Sequence, residues 1–413
     1  MSALRQALSA ASCSLLAVTS QSVAAKQWQV SASGLLYREA NRVTVNEDVV
    51  SFRGNLDDQD TLSGTFTMDT MSGASPTGAV DSGTYTSPSG SAYTIPSGQT
   101  PMHRFEDLRL AAQGEWERQW DRRLRSRGQL YYSEEYDYRS LGLGGEVLRD
   151  FNRRNTTVSA AFNAYYDTIQ PVGGVPAGLS PLGQGQGYGS DYKQTLEARA
   201  GLNQILGRNT VMDARLSLGN SSGYLSDPYK LISFVDANSG VALDHYHERR
   251  PDRRTYLSVA GELRHIAVTD DVAVLSFRHY RDDWGVVANT VEASLDHPLK
   301  PRQGLVFKVR LHSQQAADFY HYRLVDDTPS ATSLPGVRAS DRVGDPTQLY
   351  AASADYRLGE LNTVTVGARY QRPLPWKQGR LTLRVARMQQ TDKRGLFDTL
   401  RAWIAQAVFS ARF

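Results

Sequence analysis

The sequence predicts an all-β fold, a transmembrane antiparallel β-barrel of about fourteen strands, and three observations carry that prediction. Apolar and polar residues alternate with period two in segment after segment. Beyond the N-terminus no stretch approaches the roughly eighteen apolar residues that a membrane-spanning helix needs. The polar side of the alternating segments carries charges of both signs along the whole chain. A soluble sandwich also alternates. Strands of about 9–11 residues with one charged and one apolar face suit a closed ring that turns the apolar face to lipid and leaves no unpaired backbone there.

The composition fits that picture. The 413 residues are 40% hydrophobic and rich in Gly (34) and Tyr (21), with a single Cys. With 46 basic and 43 acidic residues the net charge is +3, so no basic domain points to nucleic acid. Residues 1–25 read as a secretory signal peptide: Arg5 supplies the positive start, Ala7 to Val18 a short apolar run, and Val23 and Ala25 the small residues before cleavage. Its removal takes away Cys13, leaving 26–413 as a barrel without a thiol for any disulfide.

The expected strands are 28–38, 60–70, 105–121, 127–149, 154–168, 192–206, 210–221, 254–267, 272–283, 287–298, 304–319, 352–372, 379–391 and 398–413, with 12 or 16 also compatible. In 304–319, Leu305, Phe307, Val309 and Leu311 oppose Lys308, Arg310 and His312. In 379–391, Leu381, Leu383 and Val385 oppose Arg380, Thr382 and Arg384. With both termini in the periplasm, the short links 207–209, 269–271, 301–303 and 373–378 fall on that side, and the long links 169–191, 222–253 and 320–351 fall outside. The Gly/Ser/Pro-rich link 71–104 breaks the rule, because this count makes it periplasmic. Either a hairpin near 42–54 is uncounted, or the segment is a lumenal or periplasmic insert that partly occludes the pore or docks a partner.

The inward faces should bring Arg109, Glu115, Glu197, Arg199, Asp213, Arg215, Glu262, Arg264, Arg278, Glu292, Lys308, Arg310, Arg369 and Arg384 to the lumen. They read either as a salt-bridged filling or as a pore lining that selects charged solutes. His245 and His247, at i and i+2 beside Asp244 and Glu248, point the same way if extended, which suits a surface metal site, and Asp57, Asp58 and Asp60 could bind calcium but lack the regular spacing of a calcium loop; both read as exposed loops. The pairs His279/Asp282 and His312/Ser313 stand at odd separations, which sends their side chains to opposite faces of a strand, so no catalytic residues are expected. Neither a metal nor another cofactor is expected.

The last segment resembles the terminal strand of bacterial outer-membrane proteins, with Trp403, Phe409 and the final Phe413 on one face, which implies recognition by the barrel-assembly machinery. Five further stretches resemble a family of bacterial outer-membrane barrels classed as a domain of unknown function. They are Asp69–Pro76 (DTMSGASP), Ser222–Lys230 (SGYLSDPYK), Arg281–Gly285 (RDDWG), Gln314–Tyr320 (QQAADFY) and Ser353–Leu358 (SADYRL). The resemblance implies the fold and the outer-membrane location and brings no substrate or catalytic residue. The expected function is a channel or exporter for small hydrophilic solutes. The alternatives are a non-conducting barrel that anchors a periplasmic or lipoprotein partner and, third, an outer-membrane enzyme. Outer-membrane lipid is the surrounding partner.

Overall fold

Along Gln303–Gln314 the exposure alternates as the sequence does: Phe307, Val309 and Leu311 point out, 42–54% exposed, while Lys308 lies on the other face. The same division recurs strand after strand, and it sets inside and outside for the whole molecule. The computed structural model describes residues 27–413 except 41, 81–83, 87–91, 95–101, 184–186, 328–333, 335–336, 377 and 395–398. The expected leader over 1–25 lies outside the described residues.

Among the described residues sixteen antiparallel strands close into one barrel. In chain order they are β1 (Trp28–Glu39), β2 (Val43–Asn55), β3 (Asp60–Pro76), β4 (Met102–Gln119), β5 (Leu124–Glu134), β6 (Tyr138–Phe151), β7 (Thr156–Ile169) and β8 (Asp191–Gly207). There follow β9 (Thr210–Gly223), β10 (Arg253–Ile266), β11 (Val272–Asp282), β12 (Val287–Lys300), β13 (Gln303–Gln314), β14 (Leu361–Pro373), β15 (Arg380–Asp392) and β16 (Leu400–Arg412). Each strand pairs with its chain neighbours, and β1 closes the ring on β16. Beyond those strands Phe413 exchanges backbone hydrogen bonds with Trp28, at 2.8 and 3.1 Å. Closure leaves no free edge.

The outer surface is an apolar belt bounded by aromatic residues. Trp116, Trp120, Phe151 and Trp376 are exposed near the end that holds the termini, where Trp376 stacks on Phe409 at 5.1 Å. Tyr132, Tyr166, Tyr192 and Trp403 are exposed near the opposite, distal end. Amphipathic rings of this kind sit where hydrocarbon meets headgroups.

The strand count corrects the expected fourteen to sixteen, for two physical reasons. In β2 the face shared by Val50 and Phe52 also carries Asn46 and Asp48, while Val45 and Val49 turn inward beside Glu47, so the usual alternation is scrambled. The expected strand 127–149 is instead the hairpin β5–β6, turned through Glu135, Tyr136 and Asp137 without a glycine or proline to announce it. The first correction turns both strand ends of the 71–104 segment to the distal end rather than the periplasmic one, and the expected lumenal insert over its middle falls largely outside the described residues. Its ends are strand, and its middle includes a small ribbon pairing Thr84–Thr86 with Ala92–Thr94. The second correction restores the parity, and all later links lie at the ends expected of them.

The links at the distal end do not splay. Leu231–Val235 pairs antiparallel with Ala242–His247 and parallel with Leu324–Asp326, which in turn pairs with Arg342–Val343. This four-stranded sheet is built from the β9–β10 and β13–β14 links. The β3–β4 link joins it where Leu231 N–H donates to Thr77 O, and the β7–β8 link where Leu179 N–H donates to His247 O. Leu179, Ile232, Tyr246, Leu324, Ala352 and Ala354 form its buried core, with Val80, Val235, Ala237 and Val325 as a second cluster. The barrel thus carries a distal cover with apolar packing of its own, which offsets the entropy of ordering such long links.

Candidate functional site

Two features combine here: a buried charge cluster in the distal cover, and the charged lumen wall beneath it.

The cluster begins with Pro228, which fixes the chain between Asp227 and Lys230 so that the Lys230 N–H returns to Asp227 O at 3.1 Å. Lys230 is 5% exposed and its ammonium reaches Ser75 Oγ at 3.0 Å and the Pro76 carbonyl at the end of β3. Glu248, 1% exposed, accepts from the Asp227 N–H at 2.6 Å and from the Ser353 hydroxyl, and pairs with Arg250 at 2.7 Å. Arg250 also reaches Asp355 at 2.8 Å. Arg357 binds Asp355 through Nε, at 2.9 and 2.8 Å to its two oxygens, and reaches Asp227 at 2.8 Å.

Burying an ion costs several kcal/mol unless partners replace water, so the buried Lys230, Glu248, Arg250 and Asp355 depend on one another, with Asp227 and the exposed Arg357 closing the cluster at its rim. Burial pushes the Glu248 carboxyl up and the Lys230 ammonium down from their ordinary values. Burial also raises Asp355, but the Arg357 and Arg250 guanidiniums outweigh it and hold its carboxyl well below the usual carboxylate range. Two buried residues extend the polar packing nearby: His321 Nδ1 lies 2.9 Å from Asp341 Oδ1.

A second knot joins the remaining motifs. The Asp282 carboxylate accepts from Arg254 at 2.6 and 2.8 Å, from the Tyr280 hydroxyl at 2.9 Å, and from the Trp284 and Val286 N–H groups. Trp284 packs edge-on against Phe319 at 5.1 Å, and the Asp318 N–H donates to Trp284 O. Gly285, at φ +83°, faces the Asp318 carboxylate so closely that a Cβ would lie 2.2 Å from Oδ1. The Ala317 N–H then donates to Leu358 O, and the Ser353 N–H to Phe319 O. All five sequence stretches singled out above therefore meet in one structure, and the charge cluster among them was missed. The available signal was a set of charged residues in two long links beside Pro228 and Ala354, without any local periodicity to mark them as buried.

The lumen residues lie where the alternation put them, on the side opposite the exposed apolar residues of β4, β8–β15. The structure brings Asp213, Arg215, Glu262, Arg278, Glu292 and Arg310 together around one recess floored by Ala260, Gly261, Ser276 and Thr290. Arg264 pairs with Glu262 at 2.9 Å and Lys308 with Glu292 at 2.6 Å. Arg199 pairs with Glu197 at 3.2 Å, and Tyr256 donates to Glu197 at 2.5 Å. Across the lumen, Arg109 is held by Asp69, Arg127 by Glu117 and Glu146, and Arg53 stands 3.8 Å from Glu115. Arg369 and Arg384 face each other in register.

The other candidates separate. His245 bonds Ser233 at 2.8 Å inside the cover, and Glu248 enters the charge cluster. Asp57 caps its own turn through the Gln59 and Asp60 N–H groups, and Asp60 pairs with Arg118. His279 lies outside beside Asn289, and His312 inside beside Thr290. Trp403 and Phe409 point outward as expected, the former beneath Arg387.

Residues 5–406 match the model of a family described as a protein of unknown function, DUF3570. No curated protein matches the chain. Among solved structures it is similar to a ferric enterobactin receptor variant from Pseudomonas aeruginosa in complex with enterobactin, at 11% identity and a TM-score of 0.42 over 91% of this chain. The chain spans about half, 55%, of that receptor's length. It is also similar to OccK5 (OpdH) of Pseudomonas aeruginosa, at 7% identity and TM-score 0.42 over 94% of this chain and 98% of the other. The CymD monoaromatic hydrocarbon channel matches at 9% identity and TM-score 0.40, over 94% and 88%.

Proposed function

The chain belongs to that family, and from its geometry we propose that it is an outer-membrane barrel that passes small hydrophilic solutes, with the distal cover lying over its outer mouth. The apolar belt with its aromatic borders supports the membrane placement, and the even strand number leaves both termini on the periplasmic side. Export through the leader over 1–25 and insertion by the assembly machinery are part of this reading. The observation that carries the transport role is the lumen wall: ionised side chains follow one another along it inside a sixteen-stranded ring, a surface that only water or a polar solute can cover.

The packed core of the cover favours a second reading, a closed barrel that holds a partner rather than conducting. Planar-bilayer recording separates the two. The intact protein should show rare or brief openings. The double variant Arg250→Ala/Arg357→Ala, which cuts the ties between the two largest links, should show larger and longer ones. Silence from both, with folded barrel present, would overturn the channel reading in favour of the second.

A further inference from the structure

The lumen wall is electrostatically lopsided. On the side of β2–β7 and the start of β8, the bases have acids: Arg109 with Asp69, Arg127 with Glu117 and Glu146, Lys193 with Asp167. On the side of β9–β16, guanidiniums outnumber the carboxylates beside them at three levels among the described residues.

The first level is the recess of Arg215, Arg278 and Arg310. Asp213, Glu262 and Glu292 line it too, but Glu262 and Glu292 also pair with Arg264 and Lys308, so five bases meet three acids around it. Arg278 is oriented by the Ser258 hydroxyl at 2.8 Å and lies against the Tyr280 ring, so its fork is held in place rather than neutralised. The second level is Arg369 opposite Arg384. Like charges directly across a strand pair destabilise it, and the nearest acid, Asp296, stands 3.7 Å from Arg369. The third level lies at the end that holds the termini, where Arg302, Arg380 and Arg412 line one recess with Gln29, Gln378 and Ser410 and, among the described residues, with no carboxylate.

We propose that this wall is a basic track for small anions that carry carboxylate or phosphate groups, with the Arg215/Arg278/Arg310 recess as its binding station. It deepens the channel reading and rests on it for the word track; the binding station stands on the recess alone. Planar guanidinium forks match the paired oxygens of carboxylates and phosphates, and they keep their charge at every working pH. A wall with an excess of positive charge inside a low-dielectric ring raises the local concentration of anions, and an anion between Arg369 and Arg384 relieves their repulsion. The same arrangement disfavours cations.

Two measurements test this on the full-length folded barrel in detergent and in bilayers. Calorimetric titration with citrate and with inorganic phosphate should show saturable binding, at least about tenfold weaker in Arg278→Ser/Arg310→Ser. Preference for citrate or for phosphate distinguishes the two chemistries. In a KCl gradient the reversal potential should report anion selectivity, shifting toward cations in Arg369→Glu/Arg384→Glu. Heat-modifiable gel migration checks that the variants are folded. Absence of citrate and phosphate binding, or equal binding by the Ser variant, overturns the binding station; a cation-selective intact protein overturns the track. Binding without any conductance supports the station and removes the channel reading alone.

Discussion

Arg250 reaches Asp355 at 2.8 Å across 105 positions of sequence, and in doing so ties the β9–β10 link to the β13–β14 link above the barrel. The same guanidinium holds Glu248, so one side chain contacts two buried carboxylates.

Removing that side chain leaves both carboxylates buried with fewer partners. Arg250→Ala should therefore destabilise the cover by about 3–5 kcal/mol. Limited proteolysis or hydrogen exchange should register the loss in 224–252 and 315–360, while heat-modifiable migration of the barrel stays unchanged. Equal protection in both proteins would show that the cluster does not hold the cover.

Acid should loosen the cover as well. Burial lowers the pKa of His245 and of His247, both in the four-stranded sheet of the cover. A lowered folded value means stability that is present above the unfolded value of about 6.5 and lost as pH falls through the folded value. Protection of Ala242–His247 should accordingly fall as pH drops below about 6.5. His245→Gln/His247→Gln should flatten that response; an unchanged pH profile in the double variant would assign it elsewhere.

Gly285 is placed by two constraints at once, a φ of +83° and the Asp318 carboxylate against its Cα. Gly285→Ala should cost about 1–2 kcal/mol from the backbone alone, with further loss from displacing Asp318. The readout is loss of the near-UV dichroism of Trp284, which packs beside it on Phe319.

On the outer belt, Phe307 is 54% exposed in the middle of β13. Phe307→Arg should cost about 2–4 kcal/mol in a bilayer if it sits near the midplane. Lys308→Ala, one residue on and paired with Glu292 in the lumen, should cost much less. Denaturant unfolding from lipid vesicles compares the two, and equal penalties would contradict the assignment of faces.

The sequence by itself determined the two faces of nearly every strand, and with them the positions of Asp213, Arg278, Lys308 and the other lumen residues. The reason is local: a pleated strand sends successive side chains to opposite sides, so the partition between lipid and water is written at period two. Where that pattern breaks, as at Asn46 and Asp48 in β2, or where a turn lacks its usual residues, as at Glu135–Asp137, the reading failed and the strand count fell short. Only the tertiary structure decided the distal cover. Lys230, Glu248, Arg250 and Ser353 lie in links without periodicity, Ser75 at the end of β3, and nothing near them in sequence says that they meet. Their burial depends on the closed barrel, which holds the link ends around one mouth, where charges far apart in the chain replace water for one another. The arginine excess of β9–β16 is of the same kind: the sequence places each arginine inward, but which of them meet an acid depends on the neighbours that strand register supplies.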